Sequence, residues 1–204
     1  MAKVKVTKKE ADRLMKIEDQ TKGVIVKTLA DYIIEKKGEK GIKMVEKRLK
    51  ELGYPMKFKE CSTYTWYPGS FDALITLVIL EVFSWDEKKA YDIGYDSLVV
   101  HSLGAKLLLT RFVSLELAMK NAQKFWHFFS YLGEVKFTKY DIDKSLAILR
   151  LDNYTKIHPL EYDYVRGSLA KILEIMTNSK KVNIEQTKSL YHNDTYDEFK
   201  ITWK

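Results

Sequence analysis

Four histidines and a single cysteine are the side chains best suited here to metal binding or nucleophilic chemistry. No two histidines stand four residues apart, and no CxxC or HExxH motif occurs, so the sequence predicts no motif-defined metal site. Cys61 has no neighbour in the sequence that would activate its thiol. The motifs GxGxxG, GxxxxGK[ST] and GxSxG are also absent. We therefore expect a protein that is not an enzyme and that has no cofactor.

The titratable residues differ in their predicted surroundings. His101 falls on an apolar helical face, where it is either a satisfied core histidine or a ligand. His127 shares a face with Lys120 and Lys124 and is expected to be solvated. His158 precedes a helix and is expected to act in a cap or turn. The carboxylates are scattered among lysines, which is typical of solvated faces.

Aromatic residues make up 13% of the chain and gather in a few stretches. A helix bearing Phe125, Trp126 and Phe129 has apolar surface on more than one side, so it is either deeply buried or lines a cavity. A dense aromatic core stays open as the alternative. The predicted pocket has His101 or Arg111 as polar anchors, and its lining consists of Trp66, Phe71, Phe83, His101, Phe125, Trp126 and Phe129.

The net charge of +7 is unevenly distributed along the chain. Residues 1–60 hold 17 basic and 10 acidic side chains, whereas the remaining residues hold 18 of each. A basic segment can bind nucleic acid or an anionic membrane. The interspersed acids and the presence of only two arginines in this segment favour a lysine-coated helix surface instead, and nucleic-acid binding is disfavoured.

The longest apolar run falls short of the roughly 18 residues that a membrane span needs. The first residues lack the apolar core of a signal peptide. One cysteine cannot form an internal disulfide. We therefore expect a cytoplasmic protein with a reduced thiol and no membrane span.

Hydrophobic periodicity predicts helices first and strands last. Apolar residues recur at helical spacing over residues 8–20, 24–36, 39–52, 71–83 and 114–132, and a further helix follows a cap at Asp86. The period then changes to that of strands over residues 134–140 and 144–151. A helix beginning at Pro159 and two more alternating segments complete the chain. This order predicts the α+β class with a small antiparallel sheet.

Several stretches in the first third resemble the start of haem-nitric-oxide-binding domains. They are residues 23–29 (GVIVKTL), 35–41 (EKKGEKG) and 46–55 (EKRLKELGYP). Residues 66–68, 93–95 and 199–203 resemble the vinyl-4-reductase (hydrocarbon-binding) branch and a related family of uncharacterised bacterial proteins. The resemblance covers residues 23–204 as a single domain and leaves residues 1–22 as an N-terminal helical extension.

The resemblance implies a helical subdomain packed on a four-stranded antiparallel sheet, with an apolar pocket between them. Members of this superfamily bind haem, hydrophobic small molecules or acyl chains, or serve as subunits of Golgi transport-tethering complexes. The haem branch holds the porphyrin propionates with a Tyr-x-Ser-x-Arg motif, and the matching residues 151–155 lack all three side chains. A C-terminal cysteine pair of the other branch is replaced by Tyr191 and Tyr196.

These observations favour a non-catalytic binding or sensory domain for a small hydrophobic ligand. A homodimer and an unidentified protein partner for output are expected with it. Two alternatives stay open, namely a ligand-free protein-interaction scaffold and a haem-based sensor of NO or O₂.

Overall fold

The computed structural model describes residues 4–68, 70–97 and 114–204. The chain divides into a first unit, Met1–Val99 with Ile157–Ser168, and a second unit, Val100–Lys156 with Leu169–Lys204. The described helices are α1 (Lys8–Met15), α2 (Gly23–Glu51), α3 (Phe71–Phe83), α4 (Glu87–Asp96), α5 (Leu115–Lys120), α6 (Ala122–His127) and α7 (Pro159–Thr177). The described strands are β1 (Gln20–Lys22), β2 (Trp66–Pro68), β3 (Glu134–Asp141), β4 (Leu146–Asp152), β5 (Val182–Lys188) and β6 (Asp197–Trp203).

Helix α3 forms the centre of the first unit, because its buried residues occupy every side of the helix. From Phe71 to Leu80, every residue except Asp72 is buried. Ser70 precedes this helix as a possible cap, but it adopts a φ of 48° and its hydroxyl makes no capping hydrogen bond. Asp86 does cap α4, since its side chain accepts a hydrogen bond from the backbone N–H of Lys89.

Helix α2 bends at Gly38, as the break in the apolar pattern predicts. Gly38 has a φ of 67° and a ψ of −173°, which lies outside the helical region and is readily adopted only by glycine. The two halves of α2 therefore bury separate apolar stripes, one of which includes Val26 and Ile33 and the other Val45 and Leu49.

Helices α4 and α7 approach each other closely within the first unit, at two glycines. A Cβ atom on Gly94 would lie 1.9 Å from the carbonyl oxygen of Tyr164, and one on Gly167 would lie 2.1 Å from that of Tyr91. Ser168 Oγ donates a hydrogen bond of 3.2 Å to the carbonyl oxygen of Gly94. The two backbones are thus in direct contact, which fixes the rotation of α7 about its axis.

The second unit contains a four-stranded antiparallel sheet with the strand order β3-β4-β6-β5. Alternate residues along β4 and β6 are buried, as expected when one face of a sheet packs on a core. Leu149 on β4 pairs with Phe199 on β6 at the centre of this face. The predicted α+β class with a four-stranded antiparallel sheet is confirmed.

The long helix predicted over residues 114–132 is wrong. The structure has two six-residue helices that meet at Asn121, where φ is −112° and ψ is 21°. The Asn121 side-chain amide donates to the carbonyl oxygen of Leu117 at 2.9 Å. Such a local side-chain hydrogen bond competes with the helical ladder and helps to end α5.

The first residues are attached to the first unit by polar contacts. Arg48 Nη2 donates to the carbonyl oxygen of Val6 at 2.8 Å, and the Tyr54 hydroxyl donates to the Asp12 carboxylate. Leu14 on α1 is fully buried. The boundary of the extension at residue 22 stays a prediction. Within residues 4–68, 70–97 and 114–204, each helix is too short or too polar to cross a bilayer.

We predict that Gly94→Ala destabilises the protein by about 3 kcal/mol, because the added methyl group meets backbone that cannot rotate away. The free energy of unfolding in urea measures this effect. Gly38→Ala is the matched control, since nothing lies within 4 Å of that Cβ and only the positive φ is unfavourable. Its cost is expected to be about 1–3 kcal/mol, because residues other than glycine rarely adopt this φ and ψ. A loss of less than about 1 kcal/mol in Gly94→Ala would contradict the close approach of α4 and α7.

Candidate functional site

The residues predicted to line the pocket fall in both units. In the first unit, the buried Phe71 ring stacks on Tyr67 at 5.9 Å, and Trp66 is half-buried beneath the Lys22 ammonium. Phe83 lies at the other end of α3, about 18 Å from Phe71 along the helix axis. The first unit therefore brings Trp66 and Phe71 to one end of α3 and holds Phe83 at the opposite end.

In the second unit, Phe125, Trp126 and Phe129 are all half-buried. The Trp126 indole N–H donates to the carbonyl oxygen of Leu132 at 2.9 Å, which fixes that ring. The remaining two predicted residues, His101 and Arg111, lie outside the described residues. The pocket as a set stays a prediction.

Two acids of the first unit, the half-buried Asp72 and the buried Glu161, are the more unusual feature. We define the carboxyl cluster as Asp72 at the start of α3 together with Glu161 and Tyr164 on α7. The charge of Asp72 raises the pKa values of both other residues, and that of Glu161 raises the pKa of Tyr164, so the three lie within the range of electrostatic interaction. Glu161 is 5% exposed and Tyr164 is 8% exposed. The cluster therefore lies inside the unit, next to the contact of α4 and α7.

Asp72 is partly stabilised in its charged form by the start of α3. Burial raises its pKa to about 6, while backbone N–H groups of Asp72 and Ala73 and the Thr21 hydroxyl act in the opposite direction. Donors at a helix N-terminus favour a negative charge. Asp72 is therefore mostly ionised at pH 7, despite its burial.

Among the described residues, Glu161 has no comparable hydrogen-bond donors that would stabilise its charged form. Burial raises its pKa well above the ordinary value, and the nearby charge of Asp72 raises it further. One of its oxygens, Oε2, is buried without a hydrogen-bond partner in the described part of the chain. Its surroundings therefore favour the protonated, neutral form of Glu161.

Several hydroxyl groups near the cluster lack hydrogen-bond partners in the described part of the chain. Thr21 lies close enough to Asp72, and Ser97 to Tyr164, to lower the pKa values of those groups. Yet Thr21 Oγ1 and Ser97 Oγ make no hydrogen bond of ordinary geometry with any described residue. The hydroxyl of Thr76, one helical turn after Asp72, is also buried without a partner among these residues. Buried polar groups nearly always have hydrogen-bond partners, so these unpaired hydroxyl groups require an explanation.

The prediction that the carboxylates lie on solvated faces is wrong for Glu161, which is buried, whereas Asp72 is half-buried. A signal was present, because Glu161 stands four residues before Val165 on the apolar stripe of α7 and Asp72 lies in a helix that is otherwise almost wholly apolar. An acid on a buried stripe is expected to be functional or paired. Spacing alone, however, does not bring the two helices together.

The described histidines take part in local contacts. The prediction that His127 is solvated is wrong, because it is half-buried, contacts the Gln123 amide and packs on Tyr131 at 5.1 Å. His158 Nδ1 accepts from the backbone N–H of Leu160 at 3.2 Å, which confirms its predicted role in the turn. Within the described ranges, histidine, cysteine and acidic residues form no group of three that could hold a metal ion.

A cleft of about 610 Å³ on the surface of the first unit is lined by lysines of the basic first third. Lys43, Lys47 and Lys50 stand at helical spacing along one side of it, and Lys57 forms an ion pair of 3.2 Å with Glu46. All four lysines are exposed. The excess charge thus belongs to the outer surface of the unit, whereas the acids of the carboxyl cluster lie in its interior.

Comparison with known proteins identifies solved structures that have a similar fold. No sequence family matches this chain, and no curated protein matches it. Solved structures do match. An H-NOX protein from S. oneidensis in the Fe(II)NO ligation state is 12% identical over 90% of this chain and 99% of its own, with a TM-score of 0.63.

Two further solved structures agree with the first. An Fe(II) unliganded H-NOX protein from K. algicida, a point mutant, is 14% identical over 90% of this chain and 96% of its own, with a TM-score of 0.61. An oxygen-binding H-NOX domain related to soluble guanylate cyclases is 13% identical over 90% and 95%, with a TM-score of 0.59. At these identities the likeness establishes an H-NOX-like fold, and it supports the predicted haem-NO-binding resemblance at that level. The vinyl-4-reductase branch stays a prediction.

We predict that Glu161→Gln stabilises the protein at pH 8 and has little effect near pH 4. Above the ordinary pKa of 4.5 the unfolded chain loses this proton while the folded protein keeps it. Wild-type stability therefore falls by about 1.4 kcal/mol per pH unit up to the raised folded pKa, and glutamine removes that loss. Urea unfolding at both pH values measures the difference. The exposed Glu116→Gln is the control, and equal behaviour of the two variants would refute the assignment.

Proposed function

We infer that this chain is a non-catalytic sensory domain that binds a small, mainly apolar organic ligand in its first unit. Its signal would pass to a protein partner, because no residue in the sequence suggests a reaction of its own. The fold supports a binding role, since solved structures with this fold include an NO-ligated protein and an oxygen complex.

The carboxyl cluster is the observation that carries this proposal. A carboxyl oxygen of Glu161 and several hydroxyls are buried without a hydrogen-bond partner in the described part of the chain. Each unsatisfied group costs about 1–3 kcal/mol. Groups that destabilise a fold are retained where they serve a function. A ligand that completes these hydrogen bonds would remove much of the cost, and the neighbouring apolar surface of α3 would hold its body.

The residues in the described ranges do not fit haem. A haem site needs an axial ligand and, for the propionates, cationic side chains such as arginine. Each described arginine already meets a carboxylate, for example Arg48 with Glu81 at 3.0 Å and Arg166 with Asp163 at 3.1 Å. The Nδ1 atom of His158 is occupied and His127 contacts Gln123. Two buried acids are also poor neighbours for a porphyrin face.

Native mass spectrometry of the purified protein tests the proposal. We expect a small non-covalent mass that is lost on denaturation, and a lower thermal midpoint once the ligand is stripped. At a ligand concentration about 100 times the Kd, the stabilisation is about 2.7 kcal/mol. For a chain of this size it corresponds to a shift of roughly 5–11 °C. A bare mass, together with no stabilisation by a small-molecule library, would favour the ligand-free scaffold.

A haem-based gas sensor is the second candidate, favoured by the Fe(II) states of the solved H-NOX proteins that share the fold. Titration of the stripped protein with haem tests it. If the ligand is a small apolar molecule, the titration is expected to give no saturable Soret band. A stoichiometric Soret band that His127→Ala leaves unchanged would assign the axial ligand elsewhere and make haem the ligand.

A further inference from the structure

The lysine-lined cleft on the first unit joins two segments of the chain. The second half of α2, within residues 43–50, supplies four of its lining residues, and the segment 55–60 together with Tyr67 supplies the others. Charged side chains are combined there with apolar surface from Pro55, Met56 and the Tyr67 ring. Its volume of about 610 Å³ lies within the range of established binding clefts.

Two of the four lysines at this cleft are unpaired among the described residues. Lys57 is bound to the Glu46 carboxylate at 3.2 Å, and Lys47 lies 4.0 Å from an acid on its own helix. Lys43 and Lys50 have no carboxylate that close in the described part of the chain. A lysine ammonium group carries a positive charge and three hydrogen-bond donors. The cleft therefore offers charge and donors that its own acids do not use.

Contacts within the unit hold the cleft in shape. Glu46 joins its two segments, because Oε1 accepts from the backbone N–H of Phe58 at 3.0 Å and Oε2 accepts from Lys57 Nζ at 3.2 Å. Phe58 is buried and anchors its segment to the core, while the Tyr67 ring stacks on Phe71 at 5.9 Å. A partner would therefore pay little to order this surface on binding. The Glu46 charge is also engaged by these donors, which weakens its repulsion of an anion.

We propose that this cleft binds an acidic segment of a partner protein, whose carboxylates pair with Lys43, Lys47 and Lys50 and whose apolar atoms pack on Met56 and Tyr67. This inference rests on the proposed function, since a sensory domain needs a partner, and it names the surface and the chemistry by which that partner binds. Complementary charge across an interface steers the encounter and fixes the register of the two partners. An apolar centre with a charged rim is the usual arrangement of such a surface.

The spacing of the lysines suits carboxylates on an extended segment. Lys43 and Lys47 are about 6 Å apart along the helix axis, and Lys43 and Lys50 are about 10 Å apart. Alternate side chains of an extended chain lie on the same side at intervals of about 6.6 Å. Acids at alternate positions can therefore reach successive lysines, whose long aliphatic stems adjust to the small difference in spacing.

A nucleic acid fits the cleft less well than an acidic segment. Among the described lining residues there is no arginine, the preferred phosphate ligand, and Tyr67 is the single aromatic ring on which a base could stack. Glu60 also lines the cleft. A peptide can place a neutral or basic side chain beside Glu60, whereas every nucleotide brings a phosphate there.

Fluorescence anisotropy with dye-labelled hexaglutamate tests the inference on the full chain, with labelled hexaglutamine as the uncharged probe of the same length. We expect saturable binding of hexaglutamate at low ionic strength, at least tenfold tighter than that of hexaglutamine. The difference should shrink as salt is added, because exposed ion pairs are screened. Equal affinities for the two peptides, or no binding of hexaglutamate, would overturn the inference.

Two double variants locate the binding site. Lys43→Gln combined with Lys50→Gln should weaken hexaglutamate binding about tenfold, because two ion pairs are lost. Lys9→Gln combined with Lys88→Gln is the matched control, since both lysines are exposed on the same unit, lie outside the cleft and lower the net charge equally. The control should lose less than about twofold. Thermal unfolding checks that both variants are folded, and equal losses of affinity in the two would disprove the assignment to the cleft.

Two further probes and the native mass spectrum separate the remaining outcomes. Tighter binding of hexathymidylate than of hexaglutamate would replace the acidic segment by a nucleic acid, and equally tight binding of citrate would replace it by a small anion. A co-purified ligand without binding of hexaglutamate would refute the docking surface while the proposed function stands. Binding of hexaglutamate at the cleft with a bare mass would support the docking surface and count against the ligand alone.

Discussion

The close approach of α4 and α7 is the constraint on which the rest of the first unit depends. Gly94 and Gly167 let the two backbones touch, so no side chain separates the helices. The face of α7 that carries Glu161 and Tyr164 is thereby fixed beside the end of α4, where Ser97 lies. Both side chains are buried on this helix, and burial raises the pKa of each.

The half-buried Asp72 and the buried Glu161 also differ in the backbone around them. Asp72 lies in the first turn of α3, where free N–H groups point toward a negative charge. Glu161 also lies in a first turn, that of α7, but its N–H bonds the carbonyl oxygen of His158 and its carboxyl group gains no such donor. The surroundings of Asp72 therefore favour its charged form more than those of Glu161 do. This asymmetry is typical of sites that handle protons or bind a single charge.

The sequence predicted the framework well because the framework depends on local patterns. The apolar period of α3, the break at Gly38 and the alternation in β4 and β6 each act within a few residues. The prediction of one long helix over residues 114–132 was wrong because the side chain of Asn121 interrupts it. The sequence did not predict the carboxyl cluster for another reason, because Asp72 and Glu161 are 89 positions apart. Each acid interrupts an apolar helical pattern, but nothing in the sequence relates one acid to the other.

Charged residues of opposite sign occupy different parts of the first unit. The outer surface of the first unit is rich in lysine, whereas its interior holds acids. Surface charges are screened over about 8 Å at physiological ionic strength, while a buried pair is screened much less. A charge inside the unit therefore interacts mainly with its buried neighbours and only weakly with the lysines of the surface.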